Sequence, residues 1–389
     1  MLGWELPPFN SGGLGEACYG LAKALSKKGV KISFVLPKRV DINIDFLDLV
    51  FADIQKDLEK IPSAYSTYPW LEKFTDASIP FPRDFVAAAL KYAEKIREIA
   101  LNYHPDIIHA HDWMTYPAGI AAKEATGAPL VAHVHSTEFD RTGGHFPNPI
   151  VFALEKEGLE KADRVLPVGG FMKDVLVKNY GINPEKVTVV YNGIEESVKK
   201  NFPPALAAFK ELGYKIVLYL GRITLQKGPE YFVRAARKVS EYDPKVIFVV
   251  TGTGDMQDFM VSEAIRAGVM DKFVFTGFLR GDEKNQIYQS ADLYVMPSVS
   301  EPFGITALEA IANGTPVLIS KQSGVSEILE NALKVNFWDI DEMANKILAV
   351  LRYNPLKVDL RKESRKEIKN ITWDKAADKC NNVYFQLMH

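Results

Sequence analysis

Leu293-Tyr294-Val295-Met296 runs through Pro297, Ser298 and Val299 into Ser300-Glu301-Pro302-Phe303-Gly304-Ile305-Thr306-Ala307-Leu308-Glu309-Ala310. The four apolar residues predict a buried strand. From about Gly304 the chain reads as a helix, with Leu308, Ile311 and Ala312 on one face. Pro302 and Gly304 mark the loop between. A strand passing through a short loop into a helix is the building unit of a parallel α/β sheet. The loop lies at the strand's C-terminal end, where open α/β sheets bind ligands. Glu301 therefore precedes a helix N-terminus, whose free N–H groups favour an anion. Glu309 follows eight positions later.

The same alternation extends on both sides. In the N-terminal half, helices are predicted over 13–28, 85–103, 151–161 and 171–180. Strands are predicted over 30–36, 106–110, 129–133, 164–168 and 187–191. Residues 40–85 are aromatic and irregular. Residues 196–213, with Lys199, Lys200, Pro203 and Pro204, read as a linker or domain entry. Beyond them strands are predicted over 215–220, 245–251, 273–276, 293–296 and 316–319. The segment from Trp373 to Leu387 is an amphipathic helix carrying Ala376, Ala377, Cys380, Val383 and Tyr384 on one stripe. Two α/β blocks with a break between them predict two Rossmann-like domains facing a cleft. The boundaries are 1–195, 196–370 and a C-terminal helix at 371–389 that crosses back to the first domain.

The chain has 389 residues, 47% apolar and 25% charged, with a net charge of −2. That is room for two globular domains and gives no footprint for nucleic acid. No apolar run approaches the ~20 residues of a membrane span. The opening residues lack a basic region followed by an apolar stretch, so no export signal is expected, and Cys18 and Cys380 offer neither a disulfide framework nor zinc spacing. A reducing cytoplasm is the expected location.

Three further stretches bear on chemistry. Pro7-Pro8-Phe9-Asn10-Ser11-Gly12-Gly13-Leu14-Gly15 is a Gly-rich loop opening a helix, where paired glycines let backbone approach a ligand. Gly221-Arg222-Ile223-Thr224-Leu225-Gln226-Lys227-Gly228 places two cations five apart on one loop, a suitable pair for a diphosphate. Each is expected to be an exposed side chain. His109-Ala110-His111-Asp112-Trp113 and His133-Val134-His135-Ser136-Thr137-Glu138 each end a strand. Their i, i+2 histidines share a face, so zinc is weighed. No cysteine joins them, and only Asp112 or Glu138 could complete a ligand set.

Taken together, these stretches resemble the retaining GT-B glycosyltransferases, most of all the glycogen and starch synthases. The E-P-F-G-x-x-x-x-E string looks like their nucleotide-sugar loop, and R-x-x-x-Q-K-G like their phosphate loop. Tyr191-Asn192-Gly193-Ile194 is similar to the turn closing the N-terminal domain. Thr251-Gly252-Thr253-Gly254 is similar to the turn near the nucleotide base. The resemblance implies transfer of a hexose from ADP-glucose or UDP-glucose to a glucan or other sugar hydroxyl. It implies no metal and no cofactor. It casts Glu301, Arg222, Lys227, His135 and Asp112 as catalytic. It casts Gly12, Gly13, Asn192, Gly221, Gln226, Gly252, Phe303, Gly304, Ile305, Thr306 and Glu309 as donor-binding. His109 and His133 are then buried structural residues. A glucosyl- or mannosyltransferase making another glycoside, and a nucleotide-sugar epimerase of the same fold, share these features.

Two departures stand out. The synthases usually carry a lysine two positions before the glycine pair, where this chain has Asn10, so strict ADP-glucose selectivity is not expected. Only Met1, Leu2 and Gly3 precede Trp4, so the opening strand is expected to be unusually short, an edge pair or a clipped terminus. Asp339-Ile340-Asp341 matches a metal-holding Asp-x-Asp pattern, but it precedes a helix and is expected to cap it.

Overall fold

The structure, a computed structural model, describes residues 1–10, 12–54, 83–144, 146–195 and 204–389. The chain forms two compact units. The first comprises Met1–Phe139, Gly144–Gly193 and Trp373–His389, and the second Asp140–Gly143 and Ile194–Thr372.

The first unit carries β1 (Ser33–Leu36), β2 (Asp48–Phe51), β3 (Ile108–His111), β4 (Leu130–Val134) and β5 (Arg164–Pro167), all paired in parallel. Leu2 bridges both Val35 and Ala110 and so joins β2–β1 to β3–β4–β5. The order across the sheet is β2, β1, Leu2, β3, β4, β5, the Rossmann arrangement with its switch point between Leu2 and β3. The opening strand is thus short, as expected, but it lies in the middle of the sheet rather than at its edge. Its backbone is fully engaged: Leu2 N donates to His109 O at 2.8 Å and His111 N to Leu2 O at 3.1 Å. Strands β3 and β4 are buried at every residue, which removes the alternation that would mark a half-exposed strand.

The C-terminal helix Trp373–Met388 packs on the helix Gly13–Lys27. A Cβ at Gly20 would meet the Trp373 ring at 2.3 Å, so only glycine admits that contact. The stripe Ala376, Ala377, Cys380, Val383 and Tyr384 is buried, as its periodicity predicts.

The second unit carries β6 (Lys215–Leu220), β7 (Val246–Thr251), β8 (Phe273–Gly277), β9 (Leu293–Met296), β10 (Val317–Ser320) and β11 (Leu333–Val335) in the order β11-β10-β9-β6-β7-β8. All neighbours are parallel. This is again the Rossmann order, with the switch point between β6 and β9. Helices cover the sheet, and their apolar faces join the strands in a core containing Phe232, Phe248, Val295, Leu318 and Ile347.

Several boundaries differ from the sequence reading. The irregular stretch hides β2, which pairs with β1; its residues 55–82 lie outside the described residues. The strand expected over 187–191 is reduced to one bridge, Val165–Val187. The presumed linker contains the helix Pro204–Glu211. Tyr116–Thr126 is a helix and Leu333–Val335 a strand, neither foreseen. Asp339 does cap the helix Ile340–Arg352, its Oδ1 accepting from Glu342 N at 3.0 Å.

Candidate active site

At the switch point of the second unit, the loops after β6 and β9 lie side by side. Val299 N donates to Gln226 O at 2.9 Å, tying one to the other. The turn Leu225–Lys227 ends at Gly228, at φ 64°, where a Cβ would meet Pro297 O at 2.2 Å. That close approach brings the two motifs together. Lys227 Nζ lies 2.6 Å from Glu301 Oε2, and Ser298 Oγ donates to the same oxygen at 3.3 Å. Both partners are shielded, the side chains 20% and 9% exposed. The expectation of exposed cations is therefore corrected: Lys227 and Arg222 are half-buried, because the loop folds against the strand ends. Tyr219 OH donates to Arg222 O at 2.9 Å, which fixes the backbone at that cation. Gln226, the middle residue of the turn, is buried.

Glu301 is anchored by its backbone as well. Its N–H donates to Gln322 O at 2.9 Å, and its carbonyl accepts from Gly324 N at 2.9 Å. Gly304 follows at φ 108° and caps the helix Ile305–Ala312 with no side-chain hydrogen bond. Its first amides thus have no capping side chain, the condition for taking an anion. Phe303 is buried, and Ile305 and Thr306 are half-buried. Thr306 Oγ1 accepts from Tyr294 OH at 2.9 Å.

Glu309 sits farther along this helix. It is no free surface carboxylate: Lys284 Nζ lies 2.8 Å from one oxygen and Tyr288 OH donates to the other at 3.0 Å. Lys284 and Tyr288 were missed in the sequence. Their i, i+4 spacing places them on one helix face, but nothing local names the partner. Gly221 and Gly252 end β6 and β7 in contact. A Cβ at Gly252, where φ is 128°, would meet Gly221 O at 1.9 Å.

In the first unit, Gly12 caps the helix Gly13–Lys27 without a side-chain hydrogen bond, and a Cβ at Gly13 would meet nothing within 4 Å among the described residues. Asn10 is buried, its Nδ2 donating to Gly12 O at 2.9 Å, so it braces the loop. Asn192 is buried near the end of this unit's main segment.

The four strand histidines stack as two pairs, with ring centroids 4.5 Å apart for His109–His111 and 4.4 Å for His133–His135. Across the strands His109 Nε2 lies 3.1 Å from His133 Nδ1, and His111 Nδ1 lies 3.0 Å from His135 Nε2. Burial holds all four well below the usual histidine range, His135 down to about 3. They are neutral donors and acceptors, not cations. The statement that no cysteine joins them is corrected: Cys18 arrives from the helix Gly13–Lys27. Ligand atoms of Cys18, His111 and His135 lie within 4.8 Å of one another, as do those of His109, His111 and His133. Burial, with the charges of Asp112 and Glu5, pushes the Cys18 thiol up.

Asp112, at φ 62°, is buried and works on backbone. Its Oδ1 accepts from His135 N at 2.6 Å and from Ser136 N at 3.3 Å. It therefore holds the end of β4, and with it His135, in place. Asp112→Ala is expected to leave two buried N–H groups unpaired and cost about 1–3 kcal/mol. Urea unfolding checks this; an unchanged midpoint would remove the anchoring role.

Both Rossmann-type units fall within regions that match known glycosyltransferase family models. Residues 11–198 match the family model Glycosyltransferase Family 4, and residues 206–367 match Glycosyl transferases group 1. An uncharacterized glycosyltransferase of Methanocaldococcus jannaschii is 31% identical, over 99% of this chain and 97% of that one. The chain belongs to the GT-B glycosyltransferases. A glycogen synthase of Mycobacterium tuberculosis is 27% identical over 85% of this chain and 80% of its own length. Among solved structures, a sucrose-phosphate synthase from Thermosynechococcus elongatus superposes with a TM-score of 0.77 at 21% identity, over 99% of this chain and 98% of that one. Among the described residues of this glycosyltransferase, no helix is long and apolar enough to cross a membrane.

Proposed function

We propose that this glycosyltransferase moves a hexose, glucose in the first place, from a nucleoside-diphosphate sugar to a sugar hydroxyl with retention at the anomeric carbon. The acceptor is the end of an α-1,4-glucan. Residues 1–195 take the acceptor side and 196–370 the donor, as a cytoplasmic enzyme. The observation that carries the reading is the Lys227–Glu301 contact at a strand-end switch point. A phosphate-binding cation and a sugar-binding carboxylate are thereby held on adjoining loops.

When the glycosidic bond to the diphosphate breaks, negative charge builds on the leaving phosphate and positive charge on the sugar ring. Arg222, Lys227 and the open amides of the helix Ile305–Ala312 stabilise the first. Lys227 then exchanges part of its contact with Glu301 for the phosphate. Glu301 holds hexose hydroxyls, His135 presents a neutral ring to the sugar, and Glu309 receives the nucleotide ribose. Gly12, Gly13, Gly221 and Gly252 allow close backbone approach. Asp112 orients His135.

The test is transfer from labelled UDP-glucose and ADP-glucose to maltooligosaccharides and to free sugars. The new linkage is read by NMR, with a no-acceptor arm for epimerised donor. An α-1,4 extension is the expected product. A β linkage, or epimerised donor without transfer, overturns the reading; transfer only to a non-glucan acceptor overturns the glucan assignment.

Donor choice follows from Asn10. Its amide is used within its own loop and carries no charge, so the first unit lacks the lysine grip on the nucleotide. Both UDP- and ADP-glucose are expected to serve when supplied together in equal amounts. Transfer from ADP-glucose alone, unchanged in Asn10→Lys, would show that this position does not set the nucleotide.

A further inference from the structure

We propose that Lys284 is a positioning residue for Glu309 and, through it, sets selectivity for a nucleotide whose ribose carries both hydroxyls. This rests on the reading above, in which Glu309 receives the ribose. The helix Gly281–Ser290 presents Lys284 and Tyr288 one turn apart on a single face. Lys284 Nζ meets Glu309 Oε1 at 2.8 Å, and Tyr288 OH donates to Oε2 at 3.0 Å. Each carboxylate oxygen is thus held by one donor from the same rigid element. A carboxylate oxygen accepts about two hydrogen bonds, so each retains one acceptor site. Two free sites on one fixed plane match two adjacent hydroxyls.

The contact is part of a seam rather than a chance surface pair. Gln289 Nε2 donates to Asn313 Oδ1 at 3.0 Å, and Asn313 Nδ2 to Asn285 Oδ1 at 3.2 Å, between the same two segments. The Lys284 and Glu309 side chains are only 21% and 14% exposed, so the carboxylate has little rotamer freedom left to lose on binding. Burial, and then the Glu309 charge, push the Tyr288 hydroxyl up, which keeps it a donor. Lys284 also offsets the Glu309 charge, which would otherwise repel a diphosphate nucleotide. It touches no reacting atom in this scheme.

The test is calorimetric binding of UDP, 2′-deoxy-UDP and 3′-deoxy-UDP, or of the ADP series if the wild type binds ADP more tightly. The wild type is expected to prefer the full ribose on the order of tenfold. Lys284→Met is expected to bring the full nucleotide down to the deoxy forms, which change little. Lys284→Arg is expected to restore the preference, and Tyr288→Phe to lose it in part. In turnover, KM for the donor rises while kcat stays within about threefold. Equal weakening of all three nucleotides in a folded Lys284→Met variant overturns the proposal. Equal binding of all three by the wild type instead overturns the ribose assignment of Glu309, and the proposal with it.

Discussion

Alanine at Lys227 is expected to lower kcat on the order of 10²–10³-fold, the cost of removing one charge-assisted partner from a developing anion. The structure adds a second effect that an exposed lysine would not produce. Glu301 is 7% exposed overall and shares its Oε2 between Lys227 and Ser298. Removing the lysine leaves a shielded carboxylate without its counter-charge, at a cost of roughly 1–3 kcal/mol. The double variant Lys227→Ala/Glu301→Gln removes the charge as well. It is expected to regain most of the lost Tm while remaining inactive. That split separates catalysis from folding. Near-normal turnover in a folded Lys227→Ala protein would end the leaving-group role. A double variant no more stable than the single would end the account of the pair.

A steep loss of stability in mild acid is the other large effect. His109, His111, His133 and His135 are held below their ordinary value by burial, and the interior keeps them neutral. In the unfolded chain they titrate near about 6.5. Below that pH the unfolded state binds more protons than the folded one. Stability is therefore complete above the unfolded value and falls as pH drops toward the depressed folded values. Each histidine contributes a slope approaching about 1.4 kcal/mol per pH unit, so four together approach about 5.5. Between pH 6.5 and 5 most carboxylates remain ionised, so the four histidines, together with the Met1 amino group that burial lowers to about 5, set the slope. Denaturant midpoints at pH 7.5, 6.5, 5.5 and 5.0 measure it. A first unit equally stable at pH 7 and pH 5 would contradict neutral burial of the four rings.

Much of the proposed donor site was legible because it is local. The loop containing Arg222 and Lys227 and the loop containing Glu301 each follow a strand and lead to a helix within a few residues, and spacing along the chain reports that directly. The amphipathic C-terminal helix was legible for the same reason, since its buried stripe repeats with the helical period. Strand β2 was not. Four residues with a half-exposed pattern acquire their identity only by pairing with β1.

By itself, then, the sequence determined the two α/β blocks, the motif-bearing loops and the burial of the C-terminal stripe. These depend on periodicity and on turn residues, which are properties of neighbours in the chain. Tertiary structure alone decided the strand order that turns both blocks into Rossmann sheets, with Leu2 as a one-residue central strand. It also decided that Lys227 meets Glu301, that Lys284 and Tyr288 hold Glu309, and that Cys18 approaches the histidines. Such partners are separated by 74 residues in the first case and 25 and 21 in the second. Parallel strand pairing in the first case and helix packing in the second, both set by long-range burial rather than local propensity, bring them within reach.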